Sequence, residues 1–303
     1  MRQKILFVCF LALISLLMVA SLSSASIFDW LTGRLTEQST SLTITISGNA
    51  PTVESITAIG SKSVTEAGET NVTFFADITD PDGVANLVAI NASFNMTGQS
   101  VRSNATCVNV TAYNSTKGNY SCTVRLWYWD ASGDWNVTVW ARDLDTNVAS
   151  KADTFVLGST SAFVLSPNSL NWASAPGGAV NRTPTNTPVE MNNTANTIII
   201  AGNIQVRAYD LLGTPDDSYS IRAGNFSAAQ FTGGSAECNE TATTMTNASY
   251  EAIPGHTLGI GNNTAGQGQS DLYYCLREVP SGIISQQYYA NSTGLGSWTI
   301  KIV

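Results

Sequence analysis

A chain of 303 residues has room for about two domains of ~100–150 residues, each large enough to bury a core. Only 12% of the residues are charged and the formal net charge is −8. Without Arg2 and Lys4, which open an apolar leader, 22 acidic residues face 12 basic ones, a net of −10. With no Lys/Arg cluster, that balance argues against nucleic acid as a partner. The single histidine, His256, excludes histidine-rich metal centres and most acid–base machinery.

Residues 1–25 read as a signal peptide. Arg2 and Lys4 form the positive start, Ile5 to Ala20 the apolar core, and Ser23-Ser-Ala25 a small-residue cleavage site. An uncleaved anchor is the alternative, but this apolar run is short against the ~20 residues a spanning helix needs. No membrane span is expected in the mature chain, nor a C-terminal anchor, since the sequence stops at the strand-like Ser297 to Val303. Residues 26–51 form an N-terminal segment. Within it Ser41-Leu-Thr-Ile-Thr-Ile-Ser47 alternates as a strand does, and Gly48-Asn-Ala-Pro51 breaks the chain as a linker would.

Residues 52–157 predict an immunoglobulin-like β-sandwich. Strands are expected at Val53–Ile59, Asn71–Ile78, Val84–Met96, Cys107–Tyr113, Asn119–Trp129, Trp135–Ala141 and Ala152–Leu157, about seven in ~105 residues. In the third of these, Val88, Ile90, Ala92 and Phe94 are expected inward. The clearest pair surrounds the turn Asp130-Ala-Ser-Gly-Asp134: Tyr120, Cys122, Val124, Leu126 and Tyr128 share one face of the first strand, and Trp135, Val137, Val139 and Ala141 one face of the second. Period-two alternation of this kind marks strands with one buried and one wet face.

Residues 158–303 predict a second β-sandwich with long loops. Strands are expected at Ala162–Leu165, Ser169–Trp172, Pro188–Asn192, Thr197–Ile200, Ile204–Tyr209, Leu272–Glu278, Gln286–Ala290 and Trp298–Val303. Ala223 to Ser270, rich in Gly, Thr, Asn and Ser, is expected to be loop held by a crosslink. The fold class is therefore all-β, two antiparallel sandwiches with very little helix.

Beyond the leader there are four cysteines, an even number in a chain that reads as exported. Three pairings are possible. Cys107 with Cys122 and Cys238 with Cys275 keep one bridge in each domain and are favoured. A zinc site fits poorly, as there is no close C-x-x-C spacing and His256 is not next to a cysteine. No cofactor is expected.

Glycosylation sequons are the strongest signal. Asn71, Asn91, Asn95, Asn104, Asn109, Asn114, Asn119, Asn136, Asn181, Asn192, Asn225, Asn239, Asn247, Asn262 and Asn291 all begin N-x-S/T. Composition alone would give about five or six. In the strand carrying Asn91 and Asn95, both lie on the face opposite Ile90 and Phe94, as attached glycans require.

Three further features carry weaker expectations. Asp80, Asp82, Asp143 and Asp145 fall in loops at one end of an immunoglobulin-like sandwich, where carboxylates could converge on calcium. The plainer reading, that Asp80-Pro-Asp-Gly83 and its partner are turns, is the better one. Trp127, Trp129 and Trp140 have the parity of exposed positions and could stack on sugars or anchor an interface, although sandwiches also bury tryptophan. No serine sits in a nucleophile-elbow motif, and Asp/Glu pairs for glycoside hydrolysis converge only in three dimensions, so no enzyme activity is expected.

Taken together, several segments resemble the secreted, sequon-rich, immunoglobulin-like β-sandwich surface proteins of uncultured archaea. They are the leader with Phe28-Asp-Trp-Leu-Thr-Gly33, Ile78-Thr-Asp-Pro-Asp-Gly-Val84, Gly133-Asp-Trp-Asn-Val-Thr-Val-Trp-Ala-Arg-Asp143, Tyr274-Cys-Leu-Arg-Glu-Val-Pro280 and Trp298-Thr-Ile. The resemblance implies cell-surface layers, adhesins or extracellular fibres and no catalytic residues. The expected role is a structural or adhesive protein at the cell surface, partnering itself or other surface proteins; a secreted carbohydrate-binding module is the alternative. The strand with Leu42, Ile44 and Ile46 on one face has three possible destinations: the first sandwich, the second, or a neighbouring subunit by strand addition.

Overall fold

The computed structural model describes residues 41–44, 47–104, 106–231, 238, 241–255, 257–261, 267–291 and 296–303. The leader, the segment after it, Ile46, Asn239, His256 and Asn262 lie outside the described residues. Residues 1–47 and 48–303 form separate units. In the first, Ser41–Ile44 belong to no strand, and the side chains of Leu42 and Ile44 are 91% and 79% exposed. Thr45 and Ile46, the middle of the expected strand, lie outside the described residues.

The second unit begins with eight strands: β1 (Thr52–Ile56), β2 (Glu69–Thr79), β3 (Leu87–Asn95), β4 (Arg102–Asn104), β5 (Val108–Ala112), β6 (Lys117–Trp127), β7 (Gly133–Asp143) and β8 (Val148–Leu157). They form two antiparallel sheets, β1-β2-β6-β5 and β4-β3-β7-β8. This is the immunoglobulin order with one short strand, β4, added beside the third. The pleat sorts the side chains. Val72, Phe74, Ala76 and Ile78 of β2 and Cys122, Val124 and Leu126 of β6 turn inward against Ile90, Ala92 and Phe94 of β3 and Trp135, Val137, Val139 and Ala141 of β7. Each large side chain so buried stabilises the fold by about 1.5–3 kcal/mol. Rings of Phe74 and Phe94 meet between the sheets at 5.7 Å, and Phe94 meets Phe155 at 4.6 Å.

Two expectations for this half are corrected. Val84–Asn86 form a 3-10 turn rather than strand, and a register shift between Leu87 and Ala89 turns Val88 outward, 48% exposed. A bulge inserts one residue and reverses the parity before it.

The remainder forms a second sandwich from β9 (Phe163–Ser166), β10 (Val180–Arg182), β11 (Val189–Asn193), β12 (Ile204–Arg207), β13 (Leu211–Thr214), β14 (Ser220–Ile221), β15 (Phe226–Phe231), β16 (Thr243–Thr244), β17 (Tyr250–Ala252), β18 (Gln269–Glu278), β19 (Gln287–Tyr289) and β20 (Thr299–Ile302). The long strand β18 is its axis: β15 pairs with it on one side, and β10 and β11 lie end to end along the other. Two three-stranded sheets, β17-β12-β20 and β14-β13-β19, supply the facing layer. Met191, Ile204, Val206, Phe226, Leu272 and Tyr274 share the core.

Here too the structure departs from expectation. Ala223–Ser270 is not simply loop, because β15 is a central strand whose Phe226 to Gln230 are all buried. Ser169–Trp172 forms no strand: Trp172 packs edge-on against Phe226 at 5.5 Å while its indole donates to Arg182 O at 2.9 Å. Thr197–Ile200 reduces to one isolated bridge between Ile199 and Leu258.

Cys107 bonds to Cys122 and Cys238 to Cys275, the favoured pairing. The first ties the crossing between β4 and β5 to the middle of β6. The second anchors Cys238 on β18 beside Ser227 of β15.

Both halves lie in one compact unit joined by buried polar groups. Asn193, Thr194, Ala195 and Asn196 are all 3% exposed or less. The Asn196 amide donates to the carbonyls of Asp130 (3.1 Å) and Gly158 (3.0 Å) and its oxygen accepts from Thr160 N (2.7 Å). Ala67 N donates to Thr194 O at 2.8 Å, and Thr194 Oγ1 donates to Glu66 Oε1 at 3.1 Å. Asp130 is itself fully buried. Its carboxylate accepts from Arg102 Nε at 3.0 and 3.1 Å, from Arg102 Nη2 at 2.5 Å and from Trp127 N at 2.8 Å. Among the described residues no helix is long and apolar enough to cross a membrane.

Two measurements check this account. Breaking Cys107–Cys122 and Cys238–Cys275, which close loops of 15 and 37 residues, should lower stability by about 3 and about 4 kcal/mol in denaturant titrations; unchanged midpoints would contradict a constraining role. Asp130→Ala leaves a guanidinium and an amide without their carboxylate and should cost about 3–5 kcal/mol, whereas a loss under 1 kcal/mol would show that the junction is not held there.

Candidate functional site

The surface chemistry is concentrated on the outer faces of the two sheets, where the pleat sends the polar half of each strand. Thirteen of the fifteen sequon asparagines are described, and none of them is buried. The two buried asparagines among the described residues are Asn193 and Asn196, and neither begins a sequon. Asparagines outside sequons, such as Asn49, Asn168 and Asn171, are exposed as well, so the sequon positions share the accessibility usual for this residue type.

Strand register places these asparagines in specific company. On the outer face of β4-β3-β7-β8, Asn91 lies opposite Trp140 and Asn95 opposite Asn136. On the other outer face, Asn71 lies opposite Arg125 and Asn119 opposite Asp77. Among the sequon amides, Asn104 Nδ2 donates to Thr123 O at 2.6 Å, and Asn119 Nδ2 to Asp77 Oδ1 at 2.8 Å. A substituted amide keeps one hydrogen, so either bond survives only if the glycan takes the other position. Asn109 belongs to β5, Asn114 follows it, Asn181 to β10, Asn192 to β11 and Asn225 to a 3-10 turn; Asn247 and Asn291 sit on connecting segments.

The four aspartates divide into two kinds. Asp80 and Asp143 are fully buried, whereas Asp82 and Asp145 are exposed. Asp80 accepts from Asp82 N at 2.9 Å, and Asp143 accepts from Asn147 N at 2.8 Å and Asn147 Nδ2 at 2.9 Å. Asp82 accepts from Asn49 N at 2.5 Å. The carboxylates of Asp82 and Asp145 crowd Gly48, where a side chain would push both aside. These bonds bracket turns and fasten the start of the sandwich to its loops. Among the described residues, no group of three or more His, Cys, Asp or Glu side chains is placed to hold a metal ion.

The tryptophans do not form a common platform. Trp127 and Trp129 are half-buried and stack on each other at 4.9 Å, with Tyr128 edge-on to Trp129 at 4.8 Å and Arg125 over Trp127 at 5.7 Å. Trp140 is 37% exposed and stands on the other sheet. Trp127 and Trp140 thus face away from each other across the sandwich.

At the sheet edges, β5 has no strand beyond it among the described residues, and its five side chains are all exposed and uncharged, Val108 by 64% and Val110 by 55%. The opposite margin is closed by Lys62 N donating to Val156 O at 2.9 Å and Lys151 Nζ donating to Glu54 O at 2.5 Å. Uncharged edges invite pairing with another chain.

No protein-family model matches the chain, and no curated protein matches it either.

One charged cluster lies next to a sequon. Lys117 Nζ is 2.6 Å from Glu54 and 3.7 Å from Asp77. The Asn119 amide, more than Lys117, holds the Asp77 carboxyl below its ordinary value. Lys117, then Thr79, does the same for Glu54, and Glu54 raises Lys117 in return. A depressed carboxylate stabilises the fold above its ordinary value and loses that contribution as the pH falls through the folded one. NMR titration should therefore find Asp77 below 3.8 and Glu54 below 4.5, with Lys117→Met moving Glu54 up more than Asp77. Ordinary values in the wild-type protein would contradict the cluster.

Proposed function

We propose that this chain is an exported, N-glycosylated structural or adhesive protein of the cell surface, one that assembles with further copies of itself into filaments or layers. The observation that carries the reading is the excess of sequons together with their placement: none of the described sequon asparagines is buried, so each could accept a glycan. Two disulfides support an oxidising compartment. The apolar leader and the resemblance to archaeal surface proteins point the same way.

Assembly is supported by a matched pair of features. The side chains of Leu42 and Ile44 stand exposed on a segment in no strand, and β5 ends its sheet with uncharged residues. A segment of alternating Ile and Thr that adds to a neighbour's sheet gains backbone hydrogen bonds, while alternate side chains supply specificity. A head-to-tail contact of that kind does not close on itself and propagates. The carbohydrate-binding alternative would need aromatics on one flat face; Trp127 and Trp140 lie on opposite sheets, which favours assembly.

Two outcomes are expected. Glycopeptide mapping of native protein should find several of Asn91, Asn95, Asn119 and Asn136 occupied, and native protein at its bare polypeptide mass would refute glycosylation. Replacing Ile44 and Ile46 with Asp should abolish assembly and leave a folded, soluble monomer. Strand addition fails if the double variant unfolds, or if the wild-type protein stays monomeric at high concentration.

A further inference from the structure

The groove beside Asn91 sets a sequon asparagine directly opposite a tryptophan of the neighbouring strand. Its lining is Ala89, Asn91, Trp140, Arg142 and Val148, around a volume of about 330 Å³. Asn91 and Trp140 are direct cross-strand partners on β3 and β7, so their Cβ atoms stand about 4.5–5.5 Å apart. The next row along the same face is Ala89, Arg142 and Val148, likewise in register. Trp140 is 37% and Val148 58% exposed. Elsewhere the cross-strand partners are Asn136 for Asn95, Arg125 for Asn71, Asp77 for Asn119, Ala92 for Asn104, Gln269 and Val164 for Asn192 and the buried Tyr120 for Asn109.

Resting on the reading that the chain is N-glycosylated, we propose that this groove is the docking site of the glycan attached to Asn91, whose first sugar stacks on the indole of Trp140. A pyranose presents a face of C–H groups carrying partial positive charge, and the indole face carries the negative lobe of its quadrupole. Val148 extends the apolar floor. Arg142 makes no salt bridge with another described residue and brings guanidinium donors to a rim where sugar hydroxyl or acetamide oxygens would accept. The tether makes a weak contact sufficient. A ligand held on a short linker experiences an effective concentration of order millimolar, so a stacking contact of about millimolar affinity is substantially occupied when attached and almost empty for a dilute free sugar. The groove thus serves the protein's own glycan, pinning it flat on the β3–β7 face rather than leaving it to sweep the surface.

The test is a thermodynamic cycle on the full chain produced in a host that performs N-glycosylation. Wild type, Asn91→Gln, Trp140→Ala and the double variant are compared for site occupancy by glycopeptide mass spectrometry, for melting midpoint, and for acrylamide quenching of tryptophan fluorescence. The glycan at Asn91 should raise the midpoint by about 2–4 °C, an effect that vanishes when Trp140 is absent, and wild type should have one tryptophan more shielded from quencher than Asn91→Gln. Should Trp140→Ala fail to fold, Trp140→Tyr against Trp140→Thr gives the same comparison, with the ring kept or lost on a strand-forming residue. Additive effects of the two substitutions would overturn the proposal. So would an empty Asn91 beside other occupied sequons, which leaves the glycoprotein reading standing, while a chain with no occupied sequon overturns both. Equal shielding of Trp140 in Asn91→Gln by added free sugar would assign the groove to an external ligand and also overturn it.

Discussion

The buried polar junction around Asn196 and Asp130 is the constraint on which the two halves depend. Each sandwich has a core of its own, built from residues 53–157 in one case and 189–279 in the other. What makes residues 48–303 one compact unit is a set of backbone carbonyls and amides that would be buried and unsatisfied without side-chain partners. Asn196 bonds to the carbonyls of Asp130 and Gly158, and Asp130 spends its own carboxylate on Arg102 and the Trp127 amide. Such a network is costly when partly satisfied and rigid when complete.

Around that frame the pleat divides labour. Inward positions of β2, β3, β6 and β7 are apolar and closely packed, and outward positions carry the sequons, the Glu54–Lys117–Asp77 cluster and the small polar residues that keep a sparsely charged chain soluble. In the proposed function, glycans on the outer faces and an uncharged edge at β5 would be complementary features: sugar would block face-to-face association and leave edge pairing as the route for assembly. The Asn109 sequon on β5 itself means that occupancy there would decide whether the edge is open.

Much of this was legible in the sequence, and the failures have physical reasons. β2, β6 and β7 each have one wet face, so alternation announces them; both disulfides follow from keeping one bridge in each half. β15 was invisible because Phe226 to Gln230 are buried on both faces, which erases the period-two signal. Val88 was misplaced because a bulge changes parity without leaving a mark in composition. Trp172 looked like strand but is used as a wedge against Phe226. The sequons themselves could be read from the string, whereas the neighbours that distinguish them, Trp140 for Asn91 and Asp77 for Asn119, exist only once register is known. Asp130 and Asn196 gave no signal at all, being ordinary turn residues until the chain folds around them.

The central claim, a glycosylated subunit that assembles at the cell surface, is tested most directly by the state in which the native protein leaves the cell. Gentle recovery without denaturant, followed by electron microscopy and mass measurement, should yield filaments or sheets whose subunits carry glycan mass above that of their polypeptide. A dispersed monomer without glycan, stable as such at high concentration, would contradict the account.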